Sequence, residues 1–107
     1  MDFTAYDKQL KSVWNQKSAL TFIGYVKQKN YFLSFSHFSG VSTLCRIYRK
    51  TPFLITVSFE ISSGEAALVA VQSNQITRLE IGRNELAPGK YRIRIVGKAS
   101  TGKLELK

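Results

Sequence analysis

The sequence predicts a small, mainly β domain: an antiparallel β-sandwich of about eight short strands, with one amphipathic helix at its N-terminus. Three observations lead there. From Leu20 onward apolar residues recur with a period of two. Turn-forming residues return about every ten residues. The gaps between apolar runs are of hairpin length, too short for the crossover helices that parallel strands require. A small closed β-barrel of the OB or SH3 type, plugged by the helix, is the alternative architecture.

A chain of 107 residues has room for one domain and one core. We read residues 1–107 as that single domain, with a helix over 3–16 and the β region over 20–107. The 44% hydrophobic and 12% aromatic content is too rich for a disordered chain.

Phe3, Tyr6, Leu10, Val13 and Trp14 fall on one face at spacings of three and four, which predicts the helix. Thr4 and Asp7 form a capping-box pattern at its start, with the shorter acid in place of glutamate. Its polar face mixes Asp7 with Lys8 and Lys11, so the stripe is expected to pack on the sheet rather than lie on a membrane. The clearest strand is Phe53 to Ile61. There Phe53, Ile55, Val57, Phe59 and Ile61 point one way, and Leu54, Thr56, Ser58 and Glu60 the other. Further strands are expected at 20–27, 31–38, 43–50, 66–72, 75–81, 90–96 and 103–107.

The punctuation between them consists of residues that tolerate tight or positive-φ turns: Lys27–Asn30, Ser39-Gly40, Ser62–Gly64, Gln72–Asn74 and Gly82–Asn84. Pro88-Gly89 fits the central pair of a type II turn. Gly97–Gly102 reads as the hairpin loop before the last strand.

The run Pro88-Gly-Lys-Tyr-Arg-Ile-Arg-Ile-Val-Gly97, followed by Ala99, Gly102 and the closing Leu104-Glu-Leu106, resembles the C-terminal half of small bacterial jelly-roll sandwiches. It is similar to the pre-peptidase C-terminal type of domain and to small β-sandwich proteins of Gram-positive bacteria. Phe35, Phe38 and Gly40 would occupy the earlier part of that pattern. The resemblance implies a jelly-roll arrangement and a non-catalytic accessory or binding role, usually outside the cytoplasm.

Chemistry-bearing residues are few. One histidine and one cysteine cannot supply the four ligands of a structural zinc site. The seven carboxylates are scattered, with no Asp-rich calcium loop and no marked pair for glycoside cleavage. No phosphate-cradling glycine motif is present, and no cofactor is expected. If residues 39–43 close a hairpin loop, His37 and Cys45 become cross-strand neighbours and a thiolate–imidazole pair is geometrically available. A free cysteine is ordinarily a small buried hydrophobe, however, and Cys45 is read as one. The expectation is a protein that is not an enzyme.

The formal charge of +9 favours an anionic partner: an anionic polymer, a glycan or an acidic protein surface. In the expected strand from Tyr91 to Val96, Arg92 and Arg94 alternate with Tyr91, Ile93 and Ile95, so both guanidinium groups should lie opposite the core. With Lys90 and Lys98 at the ends, that strand would carry a basic stripe. A second cluster is Arg46, Arg49 and Lys50 beside Tyr48, where a cation next to a ring could stack on a base or a sugar.

Two functions follow: a binding module for a carbohydrate or protein surface, using aromatics such as Tyr25, Tyr31 or Tyr48, and a basic nucleic-acid-binding protein. The first wants the aromatics gathered on one concave face, the second wants Arg46, Arg92, Arg94 and Lys98 to converge. No run of eighteen apolar residues suggests a membrane span. The start, Met1-Asp-Phe-Thr4, has neither a basic leader pattern nor a lipobox cysteine, so the chain as given reads as cytoplasmic. A secreted or cell-surface protein stripped of its leader would look the same.

Overall fold

In a computed structural model, which describes residues 10, 16–28, 30–73 and 75–107, those residues form seven strands. They are β1 (Gln16–Ser18), β2 (Thr21–Lys27), β3 (Asn30–Arg49), β4 (Phe53–Gln72), β5 (Gln75–Leu79), β6 (Gly82–Leu86) and β7 (Gly89–Leu106). All pairings are antiparallel and belong to one sheet, ordered β1-β3-β7-β4-β5, with β2 also on β3 and β6 also on β4. The mainly β, antiparallel expectation therefore holds. The closed barrel does not: among the described strands the sheet is open, bounded by β1 and β2 on one side and by β5 and β6 on the other.

A straight strand of twenty residues would run about 65 Å, whereas the longest dimension of the molecule is 37 Å. The three long strands must therefore bend, and their pairings show where. The first half of β3 pairs with β2 and with residues 102–106 of β7, while its second half pairs with β1 and with residues 89–96. β4 divides in the same way, carrying β6 on residues 53–57 and β5 on residues 68–72. Each half thus has β7 at its centre.

The bend lies where the ladder slips register, at Phe35/Phe38 and Phe38/Gly40 on β3 and between Ile61 and Glu65 on β4. Positive φ occurs there at His37 (51°), Gly40 (113°), Gly64 (73°) and Ala99 (47°), as β-bulges demand. Bulges leave backbone groups without ladder partners, and hydroxyls take their place. His37 N–H donates to Thr101 Oγ1 (3.2 Å), and Ala99 N–H donates to Ser39 Oγ (3.0 Å). Ser62 Oγ donates to the Thr101 carbonyl (3.1 Å), and Ser100 Oγ to that of Phe38 (3.3 Å). The strands also approach closely: a Cβ on Gly64 would collide with the Ala99 carbonyl, and one on Gly102 with the Glu60 carbonyl.

This bend corrects the expected strand count. Ser39-Gly40, Ser62–Gly64 and Gly97–Gly102 do not reverse the chain, so six expected strands fuse into β3, β4 and β7. The same residue types serve both purposes, because a bulge and a hairpin turn alike need positive φ and side-chain partners. Gly82–Asn84 is not a turn either but opens β6. Asn84 reaches back from the strand instead: its Oδ1 accepts from Glu80 N–H (2.7 Å) and its Nδ2 donates to the Glu80 carbonyl (2.8 Å). True reversals occur after Lys27, after Gln72 and at Pro88-Gly89, with Gln28, Ser73 and Gly89 at positive φ.

The main core draws from both halves of the bent sheet: Leu33, Phe35, Ile55, Val57 and Leu104 from one, Leu68, Ala70, Ile93 and Ile95 from the other, with Phe38 between them at the bend. The alternation read for Phe53–Ile61 is present as far as Phe59, with Ile55 and Val57 buried and Leu54 exposed, whereas Ile61, expected on the inward face, is exposed. A second cluster of Leu10, Val41, Ala67, Val69, Val71 and Val96 lies on the opposite face of the second half. Val96, at the end of the expected basic strand, is fully buried there. The helix expected over 3–16 lies outside the described residues except for Leu10, which is buried in that second cluster, and Gln16, which opens β1.

Candidate anion-binding site

Strand register brings two of the basic groups together. On the face of the second half opposite the main core, Arg46 of β3 stands directly across from Arg92 of β7, and Tyr48 across from Lys90. Val71 of β4 flanks Arg92 on the other side. These five residues, with Ile47, Ser73 and Tyr91, line an open cleft of about 350 Å³. Tyr48 is half-exposed and Lys90 Nζ stands 5.6 Å from its ring centre, within cation–π range. The cleft end is anchored from below, where Tyr91 Oη donates to the Ala87 carbonyl (2.8 Å) and ties β7 to the turn after β6.

No acidic side chain lines this cleft among the described residues, although three cations do. Like charges directly opposite one another in a ladder repel. A site that concentrates positive charge in a concave apolar-walled space attracts anions and holds them more strongly than a flat surface does. The planar guanidinium of Arg46 and the exposed Tyr48 ring supply the two contacts that a phosphate and a flat ring need.

The remaining expected site residues are dispersed. Arg94 is not on an exposed stripe: it is fully buried, and its Nη1 donates to the Leu10 carbonyl (3.0 Å). It does lie opposite the main core, but that face carries the second apolar cluster, to which the buried Leu10 belongs. Burial, and next the charge of Arg92, pull its pKa below the ordinary guanidinium value. Lys98 is exposed at the bend, across from Glu65, eight positions along β7 from Lys90. Arg49 leaves the cleft: its Nη1 donates to the Tyr48 carbonyl (3.0 Å) and its guanidinium lies 5.8 Å from the Phe53 ring.

The tyrosines considered for a carbohydrate surface do not gather. Tyr25 stacks on Phe32 at 5.2 Å in the first half, Tyr31 lines a separate cavity, and Tyr48 belongs to the basic cleft. His37 and Cys45 are not cross-strand neighbours, because β3 runs through the expected hairpin; Cys45 instead faces Ile93. Burial raises its thiol above the ordinary 9.0, which disfavours the reactive thiolate.

Val71, Ser73 and Tyr91 were not singled out as site residues from the sequence. The signal for Val71 was the unbroken run Ala66–Val71, which marks a strand buried on both faces. Among the described residues no three of His, Cys, Asp or Glu gather as metal ligands, and no helix is long and apolar enough to cross a membrane. No protein-family model and no curated protein sequence matches the chain.

Proposed function

We propose that the protein is a non-catalytic binding module, a jelly-roll-like sandwich formed by the two halves of its bent sheet, and that it holds a phosphate-bearing polymer in the basic cleft. The observation that carries this reading is the direct pairing of Arg46 with Arg92 beside Lys90 and Tyr48, with no acid in the lining among the described residues. Single-stranded nucleic acid fits that chemistry, because phosphates would meet the cations while a base stacks on Tyr48. The alternative of a glycan or protein surface read by aromatics has less support, since Tyr25, Tyr31 and Tyr48 are dispersed.

The test is binding of a fluorescent single-stranded oligonucleotide across a salt series at neutral pH, with the Arg46→Glu/Lys90→Glu double variant alongside. Both residues are exposed, so the variant should fold. Micromolar binding is expected, with a log–log salt slope of about 2 for three neutralised phosphates, and at least tenfold weaker binding in the variant. Absence of binding, or binding that the double variant leaves unchanged, overturns the reading. Equal competition by a sulfated glycan would restrict recognition to charge.

A further inference from the structure

A second concavity opens at the end of the molecule away from the bend. Tyr31 at one end of β3 and Cys45, Ile47 and Arg49 at the other all line it, so the strand closes around the space by folding back on itself. Phe53 and Ile55 of β4 and Leu106 of β7 complete walls that are mostly apolar, with Val26 at the edge. The cavity measures about 280 Å³. Among the described residues only two charged side chains line it, Arg49 and Lys107, and both are cations. Both are exposed, and Arg49 is held in place over the Phe53 ring. Burial raises the pKa of Cys45, and burial together with Cys45 raises that of Tyr31, as expected of a poorly hydrated interior.

We propose that this cavity binds a small amphiphilic carboxylate, with its tail between the two halves of the sheet and its headgroup on Arg49 and Lys107. With roughly 30 Å³ for each water-sized group, the space accommodates about nine or ten heavy atoms, as in octanoate. The headgroup follows from Arg49 and Lys107, the charged side chains among the described lining residues, both of which are cations. The site is separate from the basic cleft, sharing only Ile47 with it, and does not depend on the function proposed above.

Cys45 gives a direct readout, since it lies in the cavity wall and is the chain's one cysteine. The experiment follows its rate of modification by a thiol reagent as octanoate is added, with hexanoate, octylamine and octanol as comparisons. Octanoate should slow the reaction at millimolar concentration. Hexanoate should bind more than tenfold more weakly, at about fourfold per methylene, and octylamine should give no protection. Arg49→Glu, an exposed substitution checked for folding by circular dichroism, should weaken octanoate at least fivefold and leave oligonucleotide binding in place. Equal protection by octylamine or octanol overturns the headgroup assignment, and no protection by octanoate overturns the site.

Discussion

Arg92 and Arg94 occupy equivalent places in the alternation of β7, and one is half-buried at a cleft while the other is fully buried. The difference comes from a contact 84 residues away in sequence, the Leu10 carbonyl that receives the Arg94 guanidinium. Replacing Arg94 by alanine removes that donor and empties the space of a fully buried side chain beside the second apolar cluster. We expect Arg94→Ala to lose about 2–4 kcal/mol of unfolding free energy in urea titration, and Arg92→Ala less than about 1 kcal/mol. Equal losses would show that the buried arginine contributes nothing special. The period-two pattern of β7 placed both arginines opposite the main core correctly, because alternation is a local property. Whether that face was wet or covered depended on Leu10, which no local pattern reveals. Of the expected site residues, Arg46, Tyr48, Lys90 and Arg92 converge, and only the register between β3 and β7 could bring the two clusters together.

The long strands show where sequence grammar succeeds and where it misleads. Apolar alternation located every long strand, since half-buried pleats impose it whatever the topology. Glycine, serine and asparagine located the irregularities at the bend, though not the register shift at Thr43/Cys45, and could not tell a reversal from a bend, because both need the same backbone freedom. The two short strands β1 and β6 carry no alternation of their own, one beginning on the last residue of the expected helix and the other on turn residues. The bend predicts a hierarchy among glycine substitutions. Gly102→Ala pushes a Cβ into the Glu60 carbonyl, a backbone group that moves only with β4. It should cost more than about 2 kcal/mol. Gly82→Ala meets open space and suffers only from φ of +102°, at about 1 kcal/mol. Thermal denaturation of both variants checks the order, and a reversed order would remove the bend as the tightest point of the sheet.

At the scale of the whole molecule, stability should fall at alkaline pH. The Cys45 thiol and the Tyr31 phenol both have folded-state pKa values raised above the ordinary 9.0 and 10.0. The folded chain therefore holds these protons more tightly than the unfolded chain does, so their contribution is complete below the unfolded values. It is lost as pH rises through the raised folded values. Melting temperatures of the parent and Cys45→Val, compared from about pH 7 to 11, should differ in slope above about pH 9. The variant should decline less steeply, and parallel curves would refute the linkage. Neutralisation of lysines acts on both proteins and cancels in the comparison.

β7 sits between β3 and β4 in both halves of the sheet, yet it is made after both of them. During synthesis the ribosome therefore releases two long, largely apolar strands whose shared neighbour does not yet exist. Each can recruit only short strands on its outer side, β1 and β2 for β3, β5 and β6 for β4, leaving an unpaired edge of the kind that seeds intermolecular pairing. Folding of this chain is accordingly a late event, in which the last strand enters a gap held open by its predecessors. The interval before β7 emerges is the one in which the nascent protein most needs protection from its own copies.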